Sequence, residues 1–122
     1  MKTKTETPIF YLDNAKGILS QKVEKEDGYY SSKKYVRMAG HTAYMAVLTA
    51  LDIQMPIKKK GRLSVEDYRS FLASHNKKLL SQFNSLYDAL HLSMAYDGIQ
   101  DAKIIQIALS SAEDFIGKVT NK

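Results

Sequence analysis

Cysteine is absent from the 122-residue sequence, which removes disulfides, thiolate metal sites and cysteine nucleophiles together. Tryptophan is absent as well, and the two prolines, Pro8 and Pro56, sit where a helix would begin and end. No apolar run reaches the ~18–20 residues of a membrane span. The nearest, Met38 to Met55, is interrupted by Arg37 at its edge and by His41, Asp52 and Gln54 within it. The stretch Met1 to Thr7 lacks the apolar core and small-residue cleavage site of a secretory signal, so a cytoplasmic protein that does not span a membrane is expected. No glycine-rich phosphate loop, serine-nucleophile elbow or paired-carboxylate motif occurs, and no cofactor is implied.

What is present is a chain of ordinary globular composition, 44% hydrophobic and 25% charged, of a length suited to one domain over residues 1–122. Residues 1–6 read as flexible and 56–63 as a basic loop. The 18 basic and 13 acidic residues give a formal charge of +5. That charge admits a polyanionic partner, or simply a lysine-rich solvated surface.

Helical spacing dominates. Thr7 as N-cap and Pro8 at the first helical position open a helix carrying Leu12, Ala15, Leu19 and Val23, and Gly28 supplies a turn after it. Ser31 and Ser32 can cap a second helix running to about Met55. Its middle, from Met38 to Ile53, is apolar or small nearly all round, which predicts a helix buried at the centre of the domain. Ser64 with Asp67 resembles a capping box and opens a third helix through about Ser74, with Val65, Tyr68, Phe71 and Leu72 inward. Asn76 caps a longer fourth helix through Met94 that Gly98 stops. A last helix starts near Asp101 and carries Ile104, Ile105, Ala108, Leu109, Ala112, Phe115, Ile116 and Val119. No run alternates with period two. The expected fold is all-α, an antiparallel bundle of four or five helices around a buried second helix.

Polar side chains on the apolar helices are the candidate site. Arg37, His41 and Tyr44 lie three and four residues apart on the second helix, and Tyr87, Asp88 and His91 cluster on the fourth. As structure, these form a hydrogen-bond network that sets helix register, because an unpaired buried polar group costs roughly 1–3 kcal/mol. As function, Arg37 clamps an anion and His41 or His91 serves as general acid or base. A metal held by Asp88, His91 and His41 is a third arrangement, short of the paired carboxylate–histidine motifs of metal-binding bundles, and no metal is expected. Lys33, Lys34, Lys77 and Lys78 are candidate anion-binding residues, provided the fold brings the two pairs together.

The segments YLDNAKGILS, DGYYSSKKYVRMAGHTAY, GRLSVEDYR and LYDALHLSMAYDG resemble a family of small bacterial proteins, known mainly from Bacteroidetes and defined as a domain of unknown function. More distantly, the order of helices is similar to the HEPN (higher eukaryotes and prokaryotes nucleotide-binding) superfamily. That likeness implies a helical bundle that dimerises, binds RNA or nucleotides, or cuts RNA. Its nucleases carry an arginine, four to six residues, then a histidine. Arg37 and His41 have three residues between them, while Arg69 and His75 have five and fit. The leading expectation is a non-enzymatic interaction module that binds a protein partner or forms a homodimer. The alternative is a HEPN-like RNA- or nucleotide-binding protein or ribonuclease.

Overall fold

The computed structural model describes residues 7–22, 25–55 and 63–120. Val23, residues 1–6 and Lys58 to Lys60 of the basic loop lie outside them. Among the described residues there are five helices: α1 (Pro8–Lys22), α2 (Lys33–Gln54), α3 (Val65–His75), α4 (Lys77–Leu86) and α5 (Ala102–Thr120). None is long and apolar enough to cross a membrane. The all-α bundle expected from helical spacing is therefore the fold.

Local chemistry sets the helix starts. Thr7 Oγ1 accepts the Phe10 amide at 3.2 Å, and Ser32 accepts from the Tyr35 amide at 3.3 Å. At Ser64 the capping box is reciprocal: the Ser64 hydroxyl accepts the Asp67 amide at 3.2 Å and the Asp67 carboxylate accepts the Ser64 amide at 2.7 Å. Asn76 accepts from the amides of Lys78 and Leu79, both at 3.1 Å, and Asp101 from that of Ile104 at 3.0 Å.

The fourth helix changes form. Beyond Leu86 it continues as a π-helical segment, Tyr87–Tyr96, where the turn widens toward i→i−5 bonding; the Asp97 amide reaches the Leu92 carbonyl at 2.9 Å. Ten residues is long for an element that usually appears as a single turn. This segment crosses α2 closely. At the crossing with α2, a β-carbon on Gly40 would stand 2.5 Å from Met94 Cβ, 2.8 Å from the Ala95 nitrogen and 2.9 Å from the Leu90 carbonyl oxygen. Backbone meets backbone there, which only glycine permits.

α2 is the hub, packed by α1, by the π segment and by α5. It is not buried on every face as its composition predicts. Val36, Ala39, Gly40, Ala43, Tyr44, Ala46, Val47, Ala50 and Leu51 are buried, whereas Arg37, Met38, His41, Met45 and Ile53 face outward. Among the described residues α1, the π segment and α5 cover three sides of the cylinder and α3 meets it near its end at Asp52, which leaves an outer stripe in solvent. On α5, likewise, Ile105 is fully buried but Ile104 is 53% exposed.

The connection after α1 contains a miniature antiparallel hairpin, β1 (Lys25–Glu26) and β2 (Tyr29–Tyr30), where no strand is expected from period-two patterning. Asp27 (φ 52°) and Gly28 (φ 82°) form its turn, the left-handed pair that a two-residue hairpin loop requires. The hairpin is tied to the loop before α5: the Tyr30 amide donates to the Gln100 carbonyl, the Ala102 amide to the Gly28 carbonyl and Gln100 Nε2 to the Tyr30 carbonyl, each at 2.8 Å. Two loops at one end of the bundle are thereby joined.

Candidate functional site

The tertiary structure divides the polar cluster into three places. Tyr44 points inward and is 7% exposed, and its ring stacks on His91 at 4.8 Å between centroids. Tyr87 lies 5.0 Å from the same imidazole and Tyr96 meets it edge-on at 5.2 Å. The widened turns of the π segment place residues four and five apart on one side, so Tyr87, His91 and Tyr96 converge. Tyr44 completes the box from α2. Ring stacking, and not a hydrogen-bond network, joins these groups. His91 Nδ1 is buried with no hydrogen-bond partner among the described residues.

Arg69 of α3 belongs to this cluster, although its sequence context points only to His75. Its guanidinium lies over the Tyr87 ring at 5.0 Å, donates to Asn84 Oδ1 at 2.9 Å and pairs with Glu66 at 2.8 Å. Cation–π contact across two helices has no one-dimensional signal. His75 is elsewhere: it stacks on Phe71 at 4.4 Å, with Nδ1 2.8 Å from the Phe71 carbonyl oxygen. Six helical residues turn through roughly 600°, so Arg69 and His75 project about 120° apart.

Arg37 and His41 stay on the surface. Arg37 and Lys33 lie against Gly98, whose missing β-carbon (φ 66°) leaves room for both side chains. His41 lines a groove between α1 and α2. Asp88 is exposed. Asp88, His91 and His41 do not gather, and no three metal-ligating side chains do so among the described residues.

The two lysine pairs do not approach each other. α2 and the fourth helix run antiparallel, so Lys33 lies beside Gly98 at that helix's end, while Lys77 and Lys78 stand at its start. Some twenty residues at about 1.5 Å each separate them by roughly 30 Å.

With this geometry in place, comparison with known proteins decides the family. A family model described as a domain of unknown function, DUF5618, matches residues 3–121. The chain belongs to the DUF5618 family. It is also similar to a solved structure of a protein of unknown function from Dyadobacter fermentans, at 47% identity and a TM-score of 0.84, covering 93% of this chain and 89% of that one. No functionally curated protein matches it. The Bacteroidetes family expected from the four quoted segments is thus the correct one, and neither match carries the HEPN superfamily with it.

In this DUF5618 chain two buried tyrosines, Tyr44 and Tyr68, have an alkaline signature. Burial pushes the Tyr44 hydroxyl up to about 12, the neighbouring Tyr87 adds to the rise, and Arg69 opposes it. Burial and then the 2.8 Å hydrogen bond to Asp52 push Tyr68 upward too. Both folded-state values exceed the unfolded value near 10. Stability from these phenols is therefore complete below about pH 10 and lost as pH rises through their folded values. Thermal melts should show a flat midpoint to about pH 10 and a fall above it, smaller in the Tyr44→Phe/Tyr68→Phe protein. An equal fall in that variant would remove the two hydroxyls as its source.

Proposed function

We propose that this chain is a non-enzymatic interaction module that binds protein, in the first instance a second copy of itself, through the outer face of α5. The carrying observation is the pair Ile104 and Ile107, three residues apart on one helix face and 53% and 61% exposed. Ser111 on the same face is uncharged, and Lys103 with the exposed Asp114–Lys118 ion pair (3.0 Å) edges the patch, as polar rims edge protein interfaces. Gln82 donates to the Ser111 carbonyl and to Asp114, both at 3.2 Å, which sets the fourth helix antiparallel to α5 and brings Leu92, 37% exposed, to about the level of Ile104. Leaving such half-exposed side chains in water forgoes part of the roughly 1.5–3 kcal/mol that full burial of each would give.

The separation of the titratable groups supports the same reading. Arg37, His41 and His91 face different surroundings, and Arg69 and His75 diverge, so the alternative of HEPN-like RNA binding or cleavage rests on the +5 charge alone. The test is sedimentation equilibrium. The wild-type chain should be dimeric and Ile104→Glu/Ile107→Glu monomeric, with a melting temperature within a few degrees of wild type because both residues lie outside the core. A monomeric wild type at every concentration tested rejects self-association, and salt-sensitive RNA binding by that monomer would favour the alternative.

A further inference from the structure

A groove of about 660 Å³ runs between α1 and α2, on the side of the hub that no helix covers. Its lining includes Asn14, Gly17, Ile18 and Gln21 from α1 with His41 and Met45 from α2. The size falls within the ~300–1,000 Å³ of ligand sites. It is separate from the outer face of α5 and does not depend on the self-association proposed above.

Three features of the lining select an occupant. The carboxamides of Asn14 and Gln21 engage no hydrogen bond among the described residues, and each offers donors and an acceptor. Seven helical residues separate them, a rise of about 10.5 Å, and three residues of extended chain span about 10 Å. The two amides thus match peptide groups three residues apart on an extended strand. Ile18 and Met45 add an apolar wall that takes a side chain between those two points. Asp13 is the one formally charged side chain among the described lining residues, so it gives the groove a negative end on a chain whose net charge is +5. Gly17, between the two amides in sequence, keeps the space open: a β-carbon there would meet nothing within 4 Å.

We infer that the α1–α2 groove binds an extended peptide segment bearing a basic side chain, its main chain held by Asn14 and Gln21 and its cation facing Asp13.

The experiment pans a phage-displayed linear heptapeptide library on the full chain, with the Gly17→Leu chain as counter-selection. That substitution occupies the groove and leaves the helix at least as stable, since leucine is the better helix former. Enriched sequences should carry Lys or Arg, and a synthetic peptide of the leading sequence should shift the amide resonances of residues 11–21 and 41–45. Its affinity should fall on the order of tenfold or more in Asn14→Ala/Gln21→Ala and in Gly17→Leu. Asp13→Lys should invert the selection toward acidic peptides. The inference is overturned if nothing is enriched over the Gly17→Leu chain, if the shifts fall on α5, or if the variants bind as wild type does. Sedimentation of the same samples reads self-association separately, so either proposal can fail while the other stands.

Discussion

Gly40→Ala is expected to destabilise the chain by about 2–3 kcal/mol, although alanine is the better helix former by about 1 kcal/mol. The added methyl has no room: its position is 2.5 Å from Met94 Cβ, 2.8 Å from the Ala95 nitrogen and 2.9 Å from the Leu90 carbonyl oxygen. Two of those three atoms belong to the backbone, which cannot rotate aside as a side chain can. Accommodation requires α2 and the π segment to move apart, and the stacking of Tyr44 on His91 at 4.8 Å depends on the same approach. Gly17→Ala supplies the control. Its β-carbon meets nothing within 4 Å, so the same chemical change should stabilise by up to about 1 kcal/mol. Urea denaturation of the two variants should give opposite signs. Equal effects would contradict the backbone contact at the crossing.

Phe83→Ala is expected to cost about 3–5 kcal/mol. Phe83 is fully buried and joins three elements, with its ring 6.2 Å from that of Phe115 on α5 and 6.4 Å from that of Tyr68 on α3. Truncation leaves a cavity at the junction, and neighbours tethered on separate helices close it only in part. Tyr68 is further held by its hydroxyl, which donates to Asp52 at 2.8 Å and ties α3 to the end of α2. The same denaturation assay checks the loss. Ser85→Ala, exposed on the same helix, should stay within about 0.5 kcal/mol. A comparable loss at both positions would contradict the placement of the core.

Much of the fold was legible because it is local. Thr7, Ser32, Ser64 with Asp67, Asn76 and Asp101 each act on amides within three residues, so their caps can be read from adjacent letters. The inward faces followed from spacing for Leu12, Ala15 and Leu19 on α1, Tyr68 and Leu72 on α3, and Ile105, Ala112 and Phe115 on α5. The Asp27–Gly28 turn was legible as a turn, but its two-residue strands are too short to show alternation.

Composition cannot say how many neighbours a helix will have. α2 reads as apolar all round, yet Met38 and Met45 remain outside at 44% and 38% exposure because three neighbours enclose only part of it. The same limit applies to Ile104 and Ile107, which carry the right spacing for burial and face outward.

The candidate site shows the division most clearly. Helical spacing alone puts Arg37, His41 and Tyr44 on one stripe. Only packing could send Tyr44 inward to His91, leave His41 in the α1–α2 groove and set Arg37 against Gly98. The addition of Arg69 over Tyr87, and the roughly 30 Å between the lysine pairs, follow from antiparallel helices far apart in sequence. By itself the sequence determined that this protein is helical, where its helices begin, and which family it belongs to, because caps, periodicity and family segments are properties of neighbouring residues. The tertiary structure alone decided which polar groups meet, since that depends on distances between helices, and those are set where Gly40 lets two backbones touch.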